Sequence, residues 1–238
     1  MAAIPLFQWS AKLVRLHHPP AMTNSASRSP RKTVTSSKVK IRSAQSAETV
    51  TDGRINRSVV TRLKIVKALS DLICDGFLSP TAEQVAARAD VGLRTVFRQF
   101  ADMENLYREI TPQINKLVLP LLAAPLAGNN WKSRLNESIL IRATLYERLA
   151  AFQLASQAMR HQSVYLSDQL MSSAALHRRA LEQLLPPAML DNPVALEALD
   201  LTTSIDVWIR LRREQGLSVD KALKVMQCIV AGVIAGTE

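Results

Sequence analysis

Cysteine, glycine, aromatic residues and long apolar runs are all scarce in this 238-residue chain. Its two cysteines, Cys74 and Cys228, are too few for a secreted disulfide scaffold and stand in no CxxC or zinc-ligand spacing, so a reducing, cytoplasmic setting and no metal are expected. Seven glycines and eleven prolines exclude a collagen-like chain, and 47% hydrophobic residues exclude one disordered throughout. The longest uncharged apolar stretches, 117–131 and 225–237, fall short of the roughly 18–20 residues of a spanning helix, so no membrane span is expected. GxSxG, Walker, HExxH and GxGxxG signatures are all missing, and two of the four histidines are His17 and His18 near the start. No enzyme, no catalytic residue and no cofactor is expected.

What the chain does have is positive charge: 30 Lys and Arg against 20 Asp and Glu, a net +10 that favours a polyanionic partner. Residues 1–57 carry ten positive and two negative charges, 58–110 seven of each, and 111–238 thirteen positive and eleven negative. The excess therefore belongs almost wholly to the leader. Residues 23–57 are rich in Ser, Thr, Lys and Arg and show no aromatic residue and no helical apolar period, which predicts a disordered basic extension over 1–57. Met22, opening MTNSASRSPRK, reads as an alternative natural start.

From Ser58 the pattern changes. Val59, Leu63, Val66, Leu69, Ile73 and Phe77 recur at three- and four-residue steps, predicting an amphipathic helix closed by Gly76. Thr81-Ala82-Glu83-Gln84 matches a capping box and starts a second helix with Val85, Ala86 and Ala89 inward. Asp90-Val91-Gly92 predicts a tight turn in which Gly92 supplies the freedom. A third helix, Leu93–Phe100, then sets Val96 and Phe100 inward and Arg94, Thr95 and Arg98 outward. A fourth starts at Asp102, with Leu106 and Ile110 inward and Pro112 expected to kink it. Residues 130–160, 163–185, 194–214 and 218–236 read as further helices, and no strand pattern competes. The expected architecture is all-α: a three-helix N-terminal helix-turn-helix domain over 58–110, then a larger helical ligand-binding and dimerisation domain over 111–238.

A short helix that is apolar inward and basic outward, joined by a tight turn to the helix before it, can enter the major groove of DNA, and free amides at a helix start suit a phosphate. Thr61–Leu106 resembles the DNA-binding segment of the TetR/AcrR family of bacterial transcriptional regulators. The resemblance rests on Gly76-Phe77, Val85-Ala86 with Ala89, Val91, and Thr95-Val96-Phe97-Arg98-Gln99-Phe100. It implies DNA contacts at Thr81, Arg94, Thr95, Phe97, Arg98 and Gln99. Three positions depart from the family pattern: Gly92 where Ser is usual, Phe97 where Tyr is usual, and Met103 where Lys is usual. The Tyr and Lys typically hold phosphates, so two backbone contacts are missing. The basic leader, with Arg28, Arg31, Lys32, Lys38, Lys40, Arg42, Arg54 and Arg57, is either a compensating arm along the duplex or a solvated extension.

The resemblance further implies a homodimer bound to a near-palindromic double-stranded operator, and a repressor released by an unidentified small-molecule effector. The sequence supports the dimer on its own account: one stripe includes Leu201, Ile205 and Trp208, and a second includes Met226, Ile229 and Val233, as two helices of a four-helix seam would. Arg142 and Tyr146, one helical turn apart, with Gln157, His161 and His177, are the candidate ligand-binding residues. The rival reading is a peripheral membrane-binding helical protein that uses the basic leader with Phe7 and Trp9.

Overall fold

The computed structural model describes residues 44–237, with side chains from Asn56 onward except Leu117. Among the described residues every regular element is helical, and no strand occurs. Residues 1–43, which hold most of the basic leader, lie outside the described residues.

Helix α1 runs from Ala44 to Cys74. It therefore starts well before Ser58, and 44–57 are helical where a disordered leader was expected. Adding a turn to an existing helix gains a hydrogen bond for each residue fixed and avoids the nucleation cost, so a polar extension can follow a packed segment without an apolar face of its own. The inward face also differs from the expected stripe. Ile65, Val66, Leu69, Leu72 and Ile73 are buried, whereas Val59 and Leu63 are exposed. One and two turns before Ile65 that face carries Arg62 and Ser58, which bond to Glu109 and Gln99 instead of entering the core. At the C-terminus Gly76 adopts φ 97°, and the Phe77 amide donates to the Leu72 carbonyl at 3.0 Å. This is the left-handed glycine closure that Gly76 predicted.

Helix α2 (Ala82–Ala89) carries the expected capping box. Thr81 Oγ1 accepts from the Gln84 amide at 3.3 Å, and Gln84 Oε1 accepts from the Thr81 amide at 2.9 Å. In the turn that follows, Asp90 takes the left-handed conformation at φ 54°, while Gly92 sits at φ −70° as the N-cap of α3 (Leu93–Gln99). The assignment of the turn's freedom to Gly92 is thus corrected. Asp is among the few residues with a side chain that tolerate that region.

Helix α4 (Met103–Leu122), capped by Asp102, continues through Pro112 and Pro120, and α5 (Trp131–Met159) is capped by Asn130. They are followed by α6 (Val164–Glu182), the short α7 (Pro187–Leu190) and α8 (Pro193–Thr202). Then come α9 (Ile205–Ile209), prolonged by a π-helical turn at Arg210–Glu214, and α10 (Val219–Ala235). The single helix expected over 194–214 is interrupted at Thr203-Ser204. There the Thr203 hydroxyl donates to the Leu199 carbonyl at 2.8 Å and Ser204 Oγ caps the Val207 amide, local bonds that compete with the helical ladder.

Two apolar cores result. One joins α1–α4 to the C-terminal third of α5 and the start of α6, and the other joins the first half of α5 to α8–α10 and the end of α6. Trp208 and Met226, expected at a dimer seam, are fully buried in the second core. They turn inward because Trp208 Nε1 donates to Glu147 on α5 at 2.9 Å and because α10 lays Ala222, Met226 and Val230 against α5 and α8.

Candidate functional site

Among the described residues, two places combine exposed or cavity-facing polar groups with a rigid setting. The first is the outer face of α3. Arg94 and Arg98 are exposed and make no hydrogen bond or ion pair among the described residues. Phe97 is 48% exposed between them, Thr95 is half-buried, and Thr81 is exposed at the start of α2. Glu83 shares that start: its own backbone amide and then Thr81 hold its carboxyl below the usual range, so a carboxylate already occupies the anion-favouring end. Gln99 is turned to α1, where its Nε2 donates to Ser58 Oγ at 3.1 Å. Met103 is half-buried against the core, where a lysine would have reached solvent.

The placement of α3 depends on Arg62. Its Nη1 donates to the Gln99 carbonyl at 2.7 Å, its Nη2 pairs with Glu109 of α4 at 2.6 Å, and its guanidinium lies 4.2 Å over the Phe100 ring. One side chain of α1 thereby fixes the end of α3 to α4.

The second place is an elongated cavity of about 550 Å³ between α4, α5, α6 and the α8–α9 break. Its walls are mostly aliphatic, among them Ile110, Ile114, Leu149, Phe152 and Leu170, with Ile73 of α1 at one end. Tyr107 lines that end, and its hydroxyl is buried without a partner. Burial pushes the phenol up to about 12.

At the other end stand Arg142, Tyr146 and His177. Arg142 is 6% exposed. Its Nε donates to Ser138 Oγ at 3.1 Å, and its Nη1 donates to Tyr146 Oη at 3.4 Å and, closely, to His177 Nδ1. A guanidinium can only donate, so Nδ1 accepts and the ring proton sits on Nε2. Nε2 faces Thr203 Oγ1 at 3.2 Å and Asp200 Oδ1 at 3.3 Å. Burial, then the positive charge of Arg142, hold His177 down to about 4, so the imidazole is neutral near pH 7. Tyr146 completes the group by donating to the Thr203 carbonyl at 2.8 Å, and burial pushes its phenol up.

Compared with protein-family models, curated proteins and solved structures, the chain matches none. The site must therefore be read from its own residues.

Of the five ligand candidates, the fold brings Arg142, Tyr146 and His177 together at one cavity end. Gln157 and His161 do not line it. Gln157 Nε2 donates to Asp206 at 2.7 Å from behind the wall, and His161 is exposed in the turn after α5, beside Arg160. The expectation for His161 is corrected because α5 ends at Met159, so no helix carries that side chain inward. Tyr107, Ser138, Asp200 and Thr203 belong to the cavity or its polar network and were missed. Ser138 had a signal, since 138, 142 and 146 form one ridge at four-residue steps. Thr203 had none.

Of the dimer candidates, Leu201 and Ile205 line the cavity, Val233 is half-buried against the second core, and Ile229 is exposed on the outer side of α10. That side also exposes Cys228, Ala231, Gly232 and Ala235. Among the described residues no group of His, Cys, Asp and Glu could hold a metal ion, and no helix is long and apolar enough to cross a membrane.

Proposed function

We propose that the chain is a sequence-specific DNA-binding transcriptional regulator of the TetR/AcrR kind, a repressor released from its operator when a small molecule enters the cavity. The observation that carries the reading is a pair of exposed arginines, Arg94 and Arg98, that have no partner among the described residues and stand on a short helix held rigidly by its inner side. Guanidinium groups in that position suit guanine O6 and N7 or phosphate oxygens. α2, the Asp90 turn and α3 would be the helix-turn-helix, with α3 entering the major groove.

The same architecture supports a link between cavity and duplex. Ile73 and Tyr107 line the cavity and belong to the core that also contains Val96 of α3 and Phe100, the residue that caps its end. A ligand that favours one spacing of α1 and α4 would bias the angle of α3, which is the differential contact that ligand-controlled DNA binding requires. The outer side of α10 is the proposed seam of a homodimer, which would present two α3 helices to a near-palindromic operator.

Selection of bound duplexes from a random library by the full chain tests the reading. Enrichment of a near-palindromic sequence, lost on Arg94→Ala with Arg98→Ala, supports it. A library that stays unenriched overturns it.

A further inference from the structure

Arg142 is buried at one end of the cavity and makes no ion pair among the described residues, and from this we infer that the occupant is an elongated, mainly apolar molecule ending in a carboxylate that pairs with Arg142. The inference rests on the cavity being an effector site and names the chemical class of that effector.

Arg142 is more than nine-tenths buried, yet each of its partners is neutral: Ser138 Oγ, Tyr146 Oη and the uncharged His177 ring. A buried cation without a counter-charge is costly, and an anion beside it relieves that cost. The carboxylates that line the cavity have donors already. Glu197 pairs with Arg178 at 2.8 Å, and Asp200 Oδ2 lies 3.5 Å from the same guanidinium. Asp206 accepts from Gln157 at 2.7 Å and from Gln153 at 3.5 Å. One oxygen points the other way: Asp200 Oδ1 is buried and accepts no hydrogen bond, although His177 Nε2 is 3.3 Å from it. An amine would seek that oxygen. Asp200, however, is partly exposed and already shares Arg178, whereas Arg142 is deeper and has no carboxylate in ion-pair contact among the described residues, so the geometry favours the anion.

The shape sets the rest of the molecule. On α5 the lining runs from Arg142 to Ser156 and on α6 from Ala180, one turn beyond His177, back to Leu166, each about 21 Å of helix at 1.5 Å per residue. A volume of about 550 Å³ spread along that length has room for an extended body such as a hydrocarbon chain. A polar head at Arg142 and an apolar body directed towards Tyr107 follow.

Calorimetric titration of the full chain with dodecanoate, dodecanol and dodecylamine, in separate experiments at one pH near neutrality and without DNA, tests this. The expected result is that dodecanoate binds at least tenfold more tightly than the alcohol or the amine. Arg142→Met should erase that preference while dodecanol still binds, which shows that the variant retains the cavity. Should Arg142→Met fail to fold, Arg142→Lys should keep the preference for the acid, because the positive charge survives. The inference is overturned if the amine or the alcohol matches the acid in the unaltered chain, if none of the three binds, or if the acid remains favoured in a folded Arg142→Met. Because no duplex is present, failure here leaves the DNA-binding reading intact. An unenriched duplex library would in turn leave the carboxylate site standing.

Discussion

The phenol of Tyr146 on α5 donates a 2.8 Å hydrogen bond to the backbone carbonyl of Thr203, at the break between α8 and α9. Both residues are buried, so the bond ties the cavity wall to the point where α8 gives way to α9. Tyr146→Phe keeps the ring and orphans the carbonyl, which should cost about 1–3 kcal/mol. Urea unfolding of the two proteins measures it; an unchanged midpoint would show that water replaces the phenol.

His177 makes stability depend on pH. Its folded form is held down to about 4 by burial and by Arg142, while an unfolded histidine titrates near 6.5. Above that value both states are neutral and the contribution is fully present. As pH falls towards 4 the unfolded chain takes up a proton that the folded chain refuses, so stability is lost on acidification. Arg142, Arg178, Tyr146, Asp200 and Thr203 face the ring and set this balance. Between pH 7 and pH 5 the loss should be about 2 kcal/mol, and His177→Gln should remove most of it. Denaturant midpoints at the two pH values for both proteins check the difference.

On α3, Arg94→Ala and Arg98→Ala should each weaken operator binding by about 1–3 kcal/mol where the contact is to a guanine. Stability should hardly change, since neither arginine has a partner among the described residues. Fluorescence anisotropy with operators altered at single base pairs separates the roles: relaxed preference at one base pair marks base readout, and uniform weakening marks a phosphate contact.

The basic segment before α1 gives a salt-dependence prediction. Deleting 1–43 leaves α1 whole and removes Arg28, Arg31, Lys32, Lys38, Lys40 and Arg42. If that segment follows the duplex, the slope of log affinity against log salt should become shallower by about 0.9 for each phosphate released. A slope that does not move assigns the leader no part in binding.

Trp208 and Ile229 should behave oppositely. Trp208→Ala empties a fully buried site and leaves Glu147 short of one donor, at a cost of about 3–5 kcal/mol. Ile229 is 44% exposed, and beside it a Cβ added to Gly232 would meet nothing within 4 Å. Ile229→Lys should therefore leave the melting of the isolated chain nearly unchanged and convert a dimer to monomer in light scattering. A dimer that survives the lysine places the seam elsewhere.

The helical class, the capping box at Thr81, the closure at Gly76 and the outward arginines of α3 follow from the amino-acid sequence by itself. Each depends on residues within about one or two helical turns of one another, so periodicity and capping chemistry suffice to place them. The one-turn pairing of Arg142 with Tyr146 was legible for the same reason. What joins that pair to His177 and Thr203, 35 and 57 positions away from Arg142 and Tyr146 respectively, is the packing of α5 against α6 and α8, which no local pattern encodes. Packing likewise turned Trp208 and Met226 inward, because a helix apolar on more than one side shows which faces it could bury and not which face finds a neighbour first. It also decided that Arg142 would be buried without an ion pair among the described residues, with Asp200 held on the far side of the His177 ring, since the net charge of a segment carries no information about the distance between one guanidinium and the nearest carboxylate.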